Sequence, residues 1–301
     1  PIKYVGHADL FRTIGGEWFM VMLAVRSKKG YTTMGRETFL AKVTWENDWP
    51  VVNKGVGMLT DQVEIDLPEW DPVEDEHSFT YRTGFKNCIP GSSRTYDFTK
   101  KESLGDEFLF LRNPSKDLYR LQKNEGLYLK AGNVSLKEQA SPSYLAIRQQ
   151  HHSFMATACL DTDSLKTDKE GADPKAGIAL MQSNEYHLRI ELSSGKAEAI
   201  LCEKSQDKVL GSVDYREIED TLENFHKMPC KCFLRVTGLS ATLGFKDQNK
   251  EFVIAKDVDI KSLSTEVAGG FVGCTVGMYA IDENEGEERE ICFKEFSYAA
   301  L

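Results

Sequence analysis

Tyr186-His187-Leu188-Arg189-Ile190-Glu191-Leu192 alternates apolar and polar residues along its whole length. Side chains on a strand point to opposite faces with a period of two. The stretch therefore predicts a half-buried strand, with His187, Arg189 and Glu191 on its solvent side. Ser193-Ser194-Gly195-Lys196 follows as a turn into a next strand through Ile200. The same period recurs on both sides of this hairpin. Phe154, Ala156, Ala158 and Leu160 share one face of an earlier strand, and Leu234 and Val236 belong to a later one that Gly238 ends. Residues 272–281 and 291–298 read as a pair joined by an acidic loop. Helical spacing is confined to 215–225 and 261–267, enough for a turn or two each. Many short strands with turn signals between them predict an all-β chain whose larger part is a sandwich.

The bulk composition agrees. The chain has 301 residues, 41% of them hydrophobic and 28% charged, which suits one large globular domain or two ordinary ones. A net charge of -10, with basic residues scattered in pairs such as Lys28-Lys29, argues against a nucleic-acid partner. No apolar run approaches the ~20 residues of a membrane helix, so no membrane partner is expected. Nothing near Pro1 resembles a signal peptide. Seven widely scattered cysteines (Cys88, Cys159, Cys202, Cys230, Cys232, Cys274, Cys292) do not make a disulfide framework. Reduced thiols lean toward an intracellular protein. Cys230-Lys231-Cys232 has no second pair at zinc-like spacing and reads as structural.

The first 57 residues differ in character. Trp18-Phe19-Met20-Val21-Met22-Leu23-Ala24-Val25 is apolar on both faces, as in a strand buried between layers. Thr38 to Val43 is a plausible partner strand. Two or three strands cannot cover such faces alone, so this segment wants neighbours. Gly6-His7-Ala8-Asp9-Leu10 and Met34-Gly35-Arg36-Glu37-Thr38-Phe39-Leu40 each open a strand and place a histidine and an arginine at strand entrances, suggesting a pocket rim. Arg36 and Glu37 must face opposite ways, so one can line a pocket while the other pairs elsewhere. Taken singly, His7 also fits a structural histidine and Arg36 a structural ion pair. Residues 58–95 are poor in pattern and punctuated by Leu67-Pro68-Glu69-Trp70-Asp71-Pro72 and Ile89-Pro90-Gly91-Ser92-Ser93. They read as a linker with an insertion, and a second domain spans 96–301.

Together these motifs resemble glycoside hydrolase family 43, in particular its two-domain β-xylosidases and α-L-arabinofuranosidases. Gly6 to Leu10, Glu17 to Val21, Gly35 to Leu40 and Trp45 to Val52 resemble the last part of its catalytic domain. Phe108-Leu109-Phe110-Leu111-Arg112-Asn113-Pro114, Ser141-Pro142-Ser143-Tyr144-Leu145 with Arg148-Gln149-Gln150-His151, and Leu263 to Phe271 resemble its C-terminal sandwich. The resemblance implies a terminal portion of a five-bladed β-propeller over residues 1–57 and a concanavalin-like sandwich (jelly roll) over 96–301. It also implies hydrolysis of xylo-oligosaccharides or arabinose side chains with inversion, by a general acid and a general base ~6.5–9.5 Å apart. The family's three catalytic carboxylates lie in earlier blades, and Asp9, Glu17 and Glu37 do not match them. No catalytic residue is therefore expected here, and the chain alone is expected to be inactive. It would need the missing N-terminal propeller blades as its partner.

What the resemblance carries over is support for the pocket. It implies that Arg36 hydrogen-bonds the sugar and that Phe271 closes one side of the pocket. It implies that His7 lies below the pocket and helps hold a water or a metal ion, with calcium the candidate. No cofactor is required, and a homo-oligomer is compatible. A stand-alone carbohydrate-binding sandwich is the competing reading, with Tyr144, Tyr186 and Tyr279 as candidate stacking rings. Asp282 to Glu290 reads as a solvated acidic loop, and adjacent His151 and His152 face opposite ways, a poor metal pair.

Overall fold

The computed structural model describes residues 2–60, 62–65, 93–166, 173–214, 230–247, 250–283 and 289–301. The expected helical turn at 215–225, most of the linker and Cys88 lie outside the described residues. Among the described residues all sheets are antiparallel and helix is limited to short turns. Two of those turns, Lys261–Leu263 and Thr265–Ala268, stand where the sequence predicts them.

The first unit is a four-stranded meander: β1 (Ile2–Arg12), β2 (Trp18–Arg26), β3 (Glu37–Glu46) and β4 (Trp49–Val52), hydrogen-bonded in that order. Asn47 and Asp48 both have positive φ, 49° and 62°, which a two-residue hairpin between right-twisted strands requires. Pro50 is tolerated because β4 is an edge strand. One face buries Met22, Ala24, Ala41 and Val43, and the other buries Phe19 and Val25. Buried residues therefore stand on both faces of β2, as its doubly apolar run predicts, with Trp18, Met20, Val21 and Leu23 half-buried between them. On β1, Tyr4, Val5, Leu10 and Phe11 are exposed. The meander thus keeps an uncovered apolar surface.

The sandwich contains β5 (Ser93–Asp97), β6 (Leu109–Phe110), β7 (Tyr119–Gln122), β8 (Gly126–Ala131), β9 (Ser143–Arg148) and β10 (Ser153–Leu160). These are followed by β11 (Lys175–Met181), β12 (Tyr186–Leu192), β13 (Lys196–Glu203), β14 (Gln206–Asp214) and β15 (Cys230–Thr237). The last four are β16 (Ser240–Asp247), β17 (Lys250–Asp259), β18 (Thr275–Ile281) and β19 (Arg289–Ala300). One sheet runs β17-β16-β15-β10-β19-β8-β7, with β5 also on β19, and the other runs β14-β13-β12-β11-β18-β9-β6. The expected pairing of 272–281 with 291–298 is corrected. β18 and β19 sit in opposite sheets and do not pair as a hairpin.

The core lies between the sheets. Phe154, Ala156, Ala158 and Leu160 of β10 and Leu188, Ile190 and Leu192 of β12 belong to the same core cluster, all fully buried. Phe154 and Tyr298 stack at 4.9 Å. Each fully buried large side chain contributes about 1.5–3 kcal/mol. Cys230 and Cys232 are buried free thiols in this core, as expected.

A second apolar cluster corrects the reading of β12. Tyr144, Ala146, Ala179, Met181 and Tyr279 form it on the outer face of the β12 sheet, beneath Leu136. The chain around Leu136 is tied down by the Lys137–Asp207 ion pair at 2.9 Å and by Asn184 Nδ2 donating to the Lys137 carbonyl. All seven residues of β12 are consequently buried, including His187, Arg189 and Glu191.

Candidate functional site

The site grows from the loop that joins β2 to β3. Thr32 and Thr33 are buried against the sandwich segment 264–274. The Thr265 amide donates to the Thr32 carbonyl at 3.0 Å, and the Cys274 amide to the Thr33 carbonyl at 2.7 Å. The Thr32 amide donates to Glu266 Oε2 at 2.7 Å, and Gln149 Nε2 donates to Thr33 Oγ1 at 3.2 Å. Four hydrogen bonds thus stitch the meander to the sandwich within two residues.

At the end of this seam two glycines cross. A Cβ on Gly35, where φ is +67°, would stand 2.2 Å from the Gly273 nitrogen. A Cβ on Gly273 would stand 2.0 Å from the Met34 carbonyl oxygen. Neither position accepts a side chain without moving main chain. The crossing brings Arg36, the next residue, to Phe271: its guanidinium carbon is 3.8 Å from the ring centroid. Phe271 is 67% exposed, so the ring remains open to another molecule. Arg36 is exposed and has no hydrogen bond or ion pair among the described residues. A guanidinium held over a ring, with its forked donors free, suits recognition of paired hydroxyls or a carboxylate.

Glu37 faces the other way, as the strand period requires. It accepts from Arg26 Nε at 3.0 Å and from Arg26 Nη2 at 2.7 Å, and the same Nη2 donates to the Gln150 carbonyl at 2.7 Å. Glu17, the other acid of interest, pairs with Lys42.

His7 departs from expectation in one respect. It lies inside β1, not at a strand entrance, within a register irregularity between Gly6 and Asp9 and with φ of +50°. It is exposed, and among the described residues it belongs to no cluster of three metal-ligating groups. Among the described residues, no such cluster of side-chain ligands for a calcium ion stands beside it.

The cluster that does exist is His187, Cys202 and Asp207. A guanidinium already occupies it: Arg189 Nη1 is 2.9 Å from Asp207 Oδ1 and donates to His187 Nε2 at 3.0 Å, and Arg189 Nε reaches Glu191 at 2.6 Å. Burial pushes the Cys202 thiol up to about 11, and the thiol donates to the Glu185 carbonyl. Burial, then the Arg189 charge, pushes His187 down to about 4. Burial would raise the Asp207 carboxyl, but the Arg189 fork and Lys137 overcome it and hold it well below the usual range. A positive charge in place and a protonated thiol make this an ion-pair network, not a metal centre.

The comparisons with known proteins decide the family. A model of the beta xylosidase C-terminal concanavalin A-like domain matches residues 95–299, and one of glycosyl hydrolases family 43 matches residues 1–50. The chain belongs to glycosyl hydrolase family 43. A xylosidase/arabinosidase of Butyrivibrio fibrisolvens is 38% identical over 93% of this chain and 49% of its own length. A non-reducing end alpha-L-arabinofuranosidase of Bacteroides ovatus is 28% identical over 100% of this chain and 52% of its own. A family 43 structure from Bacillus licheniformis superposes with a TM-score of 0.77 at 24% identity, covering all of this chain and 54% of that one. The family 43 chain described here thus spans about half the length of the curated relatives it matches.

Within this family 43 frame, Arg36 and Phe271 are brought together and His7 is not placed beside them by any contact. Tyr144, Tyr186 and Tyr279 are 1%, 7% and 2% exposed, so none offers a face for sugar stacking. Sequence reasoning missed the Arg26 clamp and the Gly35–Gly273 crossing. The Gly269-Gly270-Phe271-Val272-Gly273 run was the one visible signal for the latter.

Proposed function

We propose that this chain forms the sugar-holding side of a family 43 glycosidase pocket that takes xylo-oligosaccharides or arabinosyl side chains. The carrying observation is the Arg36–Phe271 pair at 3.8 Å, with an unpaired guanidinium and an exposed ring. The guanidinium would fork onto sugar hydroxyls and favour the ionised form of a neighbouring acid. The ring would close one side of the pocket. Hydrolysis with inversion needs a general acid and a general base ~6.5–9.5 Å apart, with water between them. Glu17 and Glu37 are engaged in ion pairs, so those two carboxylates are assigned to blades outside this chain. The uncovered apolar surface on β1 supports the same partner. No cofactor enters this scheme, and a calcium ion beside His7 would have to take its other ligands from outside the described residues. A homo-oligomer is compatible with the scheme.

The test is to assay aryl β-xyloside and aryl α-L-arabinofuranoside with this chain alone, and with it mixed with the separately produced remaining half of the Butyrivibrio relative. The expected result is turnover only in the mixture, with Arg36→Ala lowering kcat/KM there by roughly 10²-fold, the loss of charge-assisted hydrogen bonds. Turnover by the chain alone would overturn the proposal.

A further inference from the structure

We propose that Arg26 and Glu37 are positioning residues that let the sandwich set where Arg36 points. The proposal rests on the reading of Arg36 as a sugar contact and adds to it the device that holds that contact. Arg36 has no polar partner of its own among the described residues, so nothing on its own face anchors it except the Phe271 ring. Its main chain is anchored from the opposite face. Glu37 presents both carboxylate oxygens to Arg26, with Nε to Oε2 at 3.0 Å and Nη2 to Oε1 at 2.7 Å. A forked pair of this kind fixes orientation as well as distance.

The clamp does not end within the meander. Arg26 Nη2 also donates 2.7 Å to the carbonyl of Gln150, which lies just beyond β9 in the sandwich, and 3.4 Å to Met34 Sδ. One guanidinium therefore ties together the end of β2, the start of β3 and the sandwich main chain. The amides of Gln150 and His151 in turn donate to Tyr298 Oη, each at 3.1 Å, and Tyr298 is a fully buried core residue. The chain of contacts thus runs from the sandwich core through Gln150, Arg26 and Glu37 to the residue next to Arg36. The Gly35–Gly273 crossing fixes the residue on the other side. Arg36 is the single residue between two points that are both tied to the sandwich.

The test uses the chain as it stands and reads Arg36 directly. A ring 3.8 Å from a guanidinium shifts the arginine side-chain resonances upfield by its ring current. Phe271→Leu defines the value without the ring. Glu37→Ala is expected to move the Arg36 resonances most of the way to that value while the amide shifts of the sandwich core stay in place. Glu37→Gln, which keeps one acceptor, is expected to restore part of the shift. Arg26→Lys keeps the charge but loses the fork, and is expected to act like Glu37→Ala if that variant fails to fold. Arg36 resonances unchanged in folded Glu37→Ala or Arg26→Lys would overturn the proposal. Turnover in the mixed assay separates the two readings. Loss of the ring shift with no effect of Arg36→Ala on kcat/KM would sink the sugar contact and leave the positioning device standing.

Discussion

At the scale of single residues, Phe271 is the informative case. A large ring that is two-thirds exposed on a loop contributes little to folding, so its value lies in what it touches. Phe271→Ala is expected to leave the thermal midpoint within about 1 °C, a surface-class effect. In the mixed assay it should raise KM severalfold, and an unchanged KM would remove it from the pocket. Gly35 behaves oppositely. Gly35→Ala combines a positive φ with a Cβ 2.2 Å from main chain, and is expected to cost more than about 2 kcal/mol in denaturant unfolding. A cost below about 0.5 kcal/mol would mean that the crossing yields easily. Arg36 and Glu37 were legible as facing opposite ways, because a strand's period dictates it. That Glu37 meets Arg26, and that Gly35 meets Gly273, was not. Such contacts depend on which loops the fold brings together.

At the scale of elements, β12 shows both the strength and the limit of pattern. Its alternation located the strand and its inward face correctly. The polar face was assigned to solvent because alternation records only which residues share a side, not what covers it. The cover is the chain around Leu136, far upstream, and it turns His187, Arg189 and Glu191 into buried groups. Arg189→Ala would leave Asp207 and Glu191 without their shared cation. It is expected to destabilise the chain by about 3–5 kcal/mol, read from denaturant midpoints. Arg189→Lys should recover part of this, though not the fork onto Asp207. The β18–β19 connection teaches a related lesson. Two strands joined by a loop look alike in sequence whether they pair or cross between sheets.

At the scale of the whole molecule, the all-β class and the sandwich were legible because strand period and turn chemistry recur along the chain. The meander's need for neighbours was legible from Trp18 to Val25, although the uncovered surface proved to lie mainly on β1. Acid sensitivity is also a property of the whole fold. Burial pushes both His152 and His187 down to about 4. The unfolded chain, with histidines near 6.5, then binds more protons than the folded one between pH 6.5 and 4. Their contribution is complete above pH 6.5 and is lost as pH falls toward 4. For fully buried His187 it amounts to at most about 3 kcal/mol. Denaturant midpoints measured from pH 7 to pH 4 should fall accordingly, and His187→Gln should flatten the decline. A pH-independent midpoint across that range would mean that these imidazoles titrate normally.

The Gly35–Gly273 crossing bears on how such proteins can be recombined. Two architectures that meet main chain to main chain are not interchangeable modules. A chimera that takes its meander from one relative and its sandwich from another will assemble only if both loops come from the same parent, or if each parent has glycine at the crossing. The unit that evolution or an engineer can move is therefore the seam itself, residues 32–36 together with 264–274, and not either domain alone.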